Sequence, residues 1–385
     1  MRRQRLDIEL NPSVLRWARA RARLDIGPLA RKLDVAEDVV RDWESSGRIT
    51  FSRAERLATA THTPFGKLFL STPPDRETSV PDFRTVGDKE LGSFSPGLVE
   101  TLHLMQRRQM WMREILVDEG ATPLPFVGSV DPESDPSEWA VHLRQVLNLD
   151  EEWASRESNW ATALRTLRDR VDEAGVLIVF NGVVGNNTHW KLDPDEFRGF
   201  ALVDDYAPLL FINGADFKSA QMFTLAHEMM HLLVGESGVF DLNTQRPARH
   251  TLERRCNAAA GEFLVPAQQL TELWPRLLNG PDPFQAGAKR FKVSTFVVAR
   301  RALDLGLINR GGYGQFYQKY LVSEHSGSKK SGGDFWSTQG VRIGDRFGSA
   351  VIRATRDGRL TYKDAWSLTG LKSTTFDTYV RQHVG

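Results

Sequence analysis

Cysteine is nearly missing: Cys256 stands alone in 385 residues. No internal disulfide can form, and the expectation is a reducing, cytoplasmic setting with Cys256 as a small buried residue. The sequence also lacks an apolar run of roughly 18 residues and a signal-peptide core, so no membrane-spanning helix and no membrane partner are expected. Charge of one sign is scarce too, since 50 Lys and Arg oppose 49 Asp and Glu for a net +1. The whole chain therefore exerts no general pull on nucleic acid, although a local patch can. Neither the hydrophobic content of 41% nor the charged content of 26% is that of a disordered chain. A globular chain of this length is expected to divide into two or three domains.

What is there begins with histidine, of which the chain has 9. Two fall in Phe223-Thr224-Leu225-Ala226-His227-Glu228-Met229-Met230-His231-Leu232-Leu233. That segment reads as a buried helix carrying His-Glu-x-x-His, on which His227 and His231 share a face and can offer two imidazoles to one ion. Glu228 stands beside them, free to act on water. The plain alternative is a pair of core histidines satisfied by backbone carbonyls. A third ligand weighs against it, because a catalytic zinc site takes three protein ligands and an open position. Glu253 opens a second predicted helix over residues 252–264, and Asn257 lies four residues on, where it could orient a metal-bound histidine. His250, three residues before Glu253, is a rival ligand off that face.

His227-Glu228-Met229-Met230-His231, followed by Glu253-Arg254-Arg255-Cys256-Asn257-Ala258-Ala259-Ala260 and the aliphatic run closed by Pro266, resembles the ImmA/IrrE family of bacterial metallopeptidases. The resemblance implies zinc held by His227, His231 and Glu253, with Glu228 as general base. Ala259 departs from the family by standing where Phe is common, a matter of packing. The resemblance also implies a regulatory substrate, a cognate repressor or antitoxin.

The rest of the chain is read around this segment. Residues 1–72 show short helices at 14–23, 26–33, 35–44 and 51–60 with tight turns, a helix-turn-helix bundle. Leu29-Ala30, Leu33, Val35, Val39-Val40, Trp43-Glu44 and Gly47 make it similar to the phage-repressor (XRE) class, with 36–43 as recognition helix. These 72 residues carry 14 basic against 9 acidic side chains, and Arg31, Lys32, Arg41, Arg48 and Arg53 are the candidate DNA contacts. Glu37, Asp38 and Asp42 on the same helix oppose that role, so a protein-docking use of the fold stays open.

Residues 73–155 are expected to be a connector broken by Pro and Gly, with helices at 97–119 and 139–147; Met110 belongs to the apolar stripe of the first, and Arg107 and Arg108 are taken as solvated. A zincin-like α+β peptidase domain is expected over 156–322, with a helix at 160–174, strands at 175–180, 197–203 and 207–213 before the zinc helix, and a second helix-turn-helix within 288–308 as a structural extension. His189, in an Asn-rich turn, is a candidate stabiliser of the transition-state oxyanion, although turn chemistry explains most of that segment. Residues 323–334 read as a linker. A small accessory module at 334–385 is expected to hold a strand at 350–354 and helices at 362–368 and 373–380.

The fold class is thus α+β: a helical helix-turn-helix bundle, a central peptidase domain and a small C-terminal module. The function expected is a zinc-dependent endopeptidase with a protein substrate, coupled to DNA through its N-terminal domain and with room for a homodimer. The alternative is a transcription regulator or antitoxin that binds DNA and a partner without proteolysis.

Overall fold

A computed structural model describes residues 6–74, 94–216, 218–240, 251–325 and 335–382. His250, Arg2, Arg3, Arg5, most of the 73–95 connector and most of the 323–334 linker lie outside the described residues. The fold is α+β and mainly helical. Contacts divide it into two compact units, Met1–Asp82 with Asp88–Leu102, and Phe83–Gly87 with His103–Gly385.

The first unit starts with strand β1 (Asp7–Glu9), followed by helices α1 (Pro12–Arg21), α2 (Ile26–Leu33) and α3 (Glu37–Ser46), strand β2 (Arg48–Thr50) and helix α4 (Phe51–Ala60). Asn11 and Thr50 cap α1 and α4 with their side chains, as residues of their type should. Asp34 takes the left-handed conformation between α2 and α3. Leu15, Leu29, Val40, Trp43, Ile49 and Leu57 close the core. The ladder of β1 on β2, with Ile8 opposite Ile49, was not legible beforehand: three residues give too short an alternation.

The second unit takes in helix α5 (Pro96–Asp118) from His103 onward, then α6 (Pro136–Val146), α7 (Trp160–Glu173), strands β3 (Leu177–Asn181), β4 (Gly199–Leu202) and β5 (Leu209–Asn213), helix α8 (Lys218–Val234), strand β6 (Gly238–Phe240) and helix α9 (Thr251–Leu264). Helices α10 (Ala267–Leu278), α11 (Pro283–Phe291), α12 (Thr295–Asp304) and α13 (Arg310–His325) follow, and α14 (Phe335–Ile343), α15 (Asp345–Arg356), α16 (Tyr362–Thr369) and α17 (Ser373–Gln382) end the chain. The strands lie in the order β3-β5-β4-β6; β3 runs parallel to β5, and β4 antiparallel to both β5 and β6. Every residue of β3, β4 and β5 is buried, the expected state of a sheet covered on both faces. Phe200 and Phe211 are register partners with stacked rings 4.9 Å apart. Helix α8 is apolar on nearly all sides and sits in this core, with Leu225, Met229, Met230 and Leu232 inaccessible.

Three expectations for the second unit fail. Residues 350–354 are not a strand but lie within α15, because Phe347, Ala350, Val351 and Ala354 are buried at helical spacing. Met110 is 61% exposed, outside the apolar stripe of α5. Arg108 is not solvated: only 3% of it is accessible. Its Nε donates to the Leu368 carbonyl at 2.8 Å, Nη1 to that of Arg342 at 3.0 Å and Nη2 to that of Thr369 at 3.3 Å. These carbonyls belong to the last turns of α14 and α16, where helices carry partial negative charge. The module at 334–385 is thereby packed into the second unit. Gly344, at φ +88°, brings its backbone against the Ile178 carbonyl of β3; a Cβ there would stand 2.6 Å from that oxygen.

Candidate metal centre

Helix α8 is held at both ends by backbone bookkeeping that the sequence dictates. At its start the buried Asn213 side chain accepts from Ala215 N at 3.0 Å and donates to the Phe197 carbonyl at 3.0 Å, fixing the turn out of β5. At its end Gly235 adopts φ +81°, and its N–H returns to the His231 carbonyl at 2.9 Å. Gly128 N and Val130 N take the Leu232 and Leu233 carbonyls, each at 3.0 Å. Orphan carbonyls of a buried helix end are thus satisfied.

Helix α9 packs on α8 and brings Glu253 to the two histidines. Its C-terminal carbonyls are held by two arginines: Arg144 Nη2 donates to the Glu262 carbonyl at 2.6 Å and to that of Phe263 at 3.2 Å, and Arg301 Nε to that of Val265 at 3.1 Å. Burial drives both guanidinium pKa values down.

The ligand atoms are close-set, each imidazole facing a different oxygen of the one carboxylate. His227 Nε2 and His231 Nε2 lie 3.2 Å apart, His227 Nε2 is 3.3 Å from Glu253 Oε2, and His231 Nε2 is 3.3 Å from Glu253 Oε1. A tetrahedral ion with ligand bonds of about 2.0–2.1 Å separates its ligands by about 3.3 Å. The residues therefore fit a metal ion, and this is the His/Cys/Asp/Glu group of that kind found among the described residues.

Electrostatics agree with that fit. Desolvation lowers the pKa of His227, against opposing pulls from Glu253 and Asn257, and a neutral imidazole is the form that ligates. Desolvation would raise the Glu253 carboxyl, but hydrogen bonds from His227 and His231 hold it well below the usual carboxylate range. His231 Nδ1 is buried with no hydrogen-bond partner among the described residues. Asn257 reaches His227 from α9, on the same face as Glu253.

Glu228 is wholly buried, and neither carboxylate oxygen has a hydrogen-bond partner among the described residues. Desolvation, then the charge of Glu253, pushes its pKa well up. A carboxylate desolvated in this way binds a proton more readily than one in water, which is what a general base needs. Its room comes from Gly199 on β4, a residue the sequence reading passed over: a Cβ there would lie 2.7 Å from Thr224 Cγ2, 2.9 Å from the Phe211 carbonyl and 3.0 Å from Glu228 Oε1. A glycine inside an otherwise apolar strand is the mark that could have pointed to it.

His189 is exposed on its turn, its N–H bonded to Asn187 Oδ1 at 3.0 Å. Cys256 is fully buried on α9, as expected.

In the first unit the basic candidates are widely engaged. Lys32 Nζ donates to the Ala60 carbonyl at 2.8 Å, and Arg53 lies over the Trp43 ring at 5.6 Å. Arg41 is paired with Glu37 at 2.8 Å and Asp38 at 3.1 Å. Arg31 and Arg48 are exposed.

A sheet with an antiparallel strand beside a His-Glu-x-x-His helix, completed by a glutamate from the next helix, defines a metallopeptidase-like centre. Comparison with known families agrees: residues 171–303, about a third of the chain, match a peptidase family described as "IrrE N-terminal-like domain". Residues 343–382 match a family described as a domain of unknown function. No curated protein and no solved structure matches the chain.

Proposed function

We propose that this protein is a regulatory zinc endopeptidase whose substrate is a protein of the repressor or antitoxin kind. The observation that carries the reading is the triangle of His227, His231 and Glu253 with Glu228 buried beside it. Zinc held by the three would supply Lewis acidity, making water acidic near neutral pH and polarising a scissile carbonyl. Glu228 accepts the proton of the attacking water and delivers it to the leaving amine. Asn257 orients His227, Gly199 leaves the space in which Glu228 moves its proton, and His189 is the side chain to test for contact with a bound substrate. The first unit serves as the targeting module, raising the local concentration of the substrate. Its cations are largely spent on internal partners, which supports protein docking over DNA for α3.

The competing reading, a regulator that binds without cutting, draws support from the burial of the centre, with His227 and Glu228 at 0% and His231 at 1% exposure. Metal analysis separates them. We expect about one zinc per chain in wild type and Glu228→Gln, and a sharp loss in Glu253→Ala. A protein partner should co-purify with Glu228→Gln and be cut by wild type. Wild type that holds no metal when zinc is supplied, or that leaves its partner intact, would sink the peptidase reading.

A further inference from the structure

The sheet of the second unit ends at β3 on one side and at β6 on the other, and β6 is the slighter attachment. Strand β3 pairs with β5 over five residues and β4 with β5 over four. Strand β6 pairs with β4 over three: Ala201 opposite Gly238, Phe200 opposite Val239 and Gly199 opposite Phe240. One side-chain bond continues that ladder, Val203 N–H donating to Ser237 Oγ at 2.9 Å. The segment leaves α8 through left-handed Gly235 and joins β4 almost at once.

The place of this ladder matters because Gly199 is the residue of β4 that stands against Glu228, where an added Cβ would lie 3.0 Å from Oε1. The last pair of the ladder, Gly199 with Phe240, is therefore the backbone next to the carboxylate. A protein chain reaches a buried centre of this kind most directly by adding a strand to a sheet edge, backbone to backbone. The edge of β4 turned away from β5 is the one that passes Glu228, whereas the free side of β3 lies two strands off. An open β4 would present a row of unpaired N–H and C=O groups to any extended segment. Strand β6 already holds that row, running antiparallel to β4.

We infer that β6 is an internal occupant of the substrate edge: the enzyme is latent until an extended segment of a protein substrate displaces β6 from β4 and takes its place, running in the same direction. The inference rests on the peptidase reading above. Displacement exchanges one set of backbone hydrogen bonds for another, so a segment that pairs with β4 over more than three residues gains more than it removes. A helical or folded segment, whose backbone is already paired, gains nothing. The substrate class is thus a locally unfolded, extended stretch of protein. Apparent affinity for it is reduced to the fraction of molecules in which β6 is open.

The test is hydrogen exchange on the zinc-loaded full chain with two probes: acetohydroxamate, a metal-binding head alone, and a pentapeptide hydroxamate, which adds an extended arm. Saturation with the pentapeptide probe should speed exchange at residues 238–240 by about fivefold or more while residues 199–203 stay protected; acetohydroxamate should change neither. Ser237→Ala removes the acceptor for Val203 N–H and touches no metal ligand. It should speed exchange at 238–240 without a probe and raise affinity for the pentapeptide hydroxamate by the same factor, about threefold or more, because both report the open fraction. Ser237→Thr keeps a hydroxyl and should match wild type. The inference is overturned if 238–240 exchange no faster with the longer probe bound, if Ser237→Ala moves exchange and affinity by different factors or not at all, or if the zinc-loaded chain refuses the longer probe. A wild-type chain that takes up no zinc fails the peptidase reading itself, and this inference with it, before any probe is added.

Discussion

Arg108 is a charged side chain used as a structural joint. Burial lowers its pKa to about 10, so it remains a cation at neutral pH, held by three helix-terminal carbonyls and lying over the Phe347 ring at 5.3 Å. Arg108→Met leaves those carbonyls without donors and should cost roughly 3 kcal/mol, seen as a lower thermal midpoint and faster proteolysis after residue 325. Arg108→Lys, which cannot fork between acceptors, should recover only part. A second residue sets a pH response. His62, at a left-handed φ of 51°, has its pKa lowered from 6.5 to about 4 by desolvation, then by Lys32 and Arg21. Because the unfolded chain takes up this proton first as pH falls below about 6.5, stability should decline from pH 7 toward pH 4. His62→Asn, which tolerates the backbone conformation, should flatten that decline in melts across the range; an equal decline in both proteins would remove His62 as its cause.

Among the elements, those whose partners lie close in sequence were the ones legible beforehand. The metal helix, α9 and the i, i+4 relation of Glu253 to Asn257 follow from helical periodicity alone, and the three strands before α8 follow from β-branched runs between turns. Arg108 was misread because its partners lie more than 230 residues away, and no local pattern reports them. The segment 350–354 was misread because a short apolar run fits a strand as well as a buried helix face. Gly199 was passed over because the carboxylate it makes room for comes from another element. Helix α13 shows a different balance: Gly311, Gly312 and Gly314 weaken it, and Tyr313, Phe316 and Tyr317 hold it by ring contacts, Phe316 to Phe284 at 4.7 Å. A methyl group at Gly314 would meet nothing within 4 Å. Gly314→Ala should therefore stabilise the protein by about 0.5–1 kcal/mol, a gain of about 1–2 °C in calorimetry; a loss would mean that this face is covered.

At the scale of the molecule, the metal-ligand group and the C-terminal helices are built on separate elements. The metal-ligand group depends on α8, α9 and β4, and helices α16 and α17 hang from Arg108 and the Asn186 bond to the Gly370 carbonyl at 2.9 Å. Damage to one should leave the other measurable. The close approach of Gly344 to β3 has a colloidal consequence as well. Strand β3 ends the sheet on its side, and an uncovered strand edge is a template for pairing with another chain. A protein cut short before residue 335 should therefore self-associate as its concentration rises, followed by light scattering or sedimentation, even though its metal ligands are untouched. The last fifty residues would then act, whatever else they bind, as the cap that keeps neighbouring copies of the sheet from polymerising.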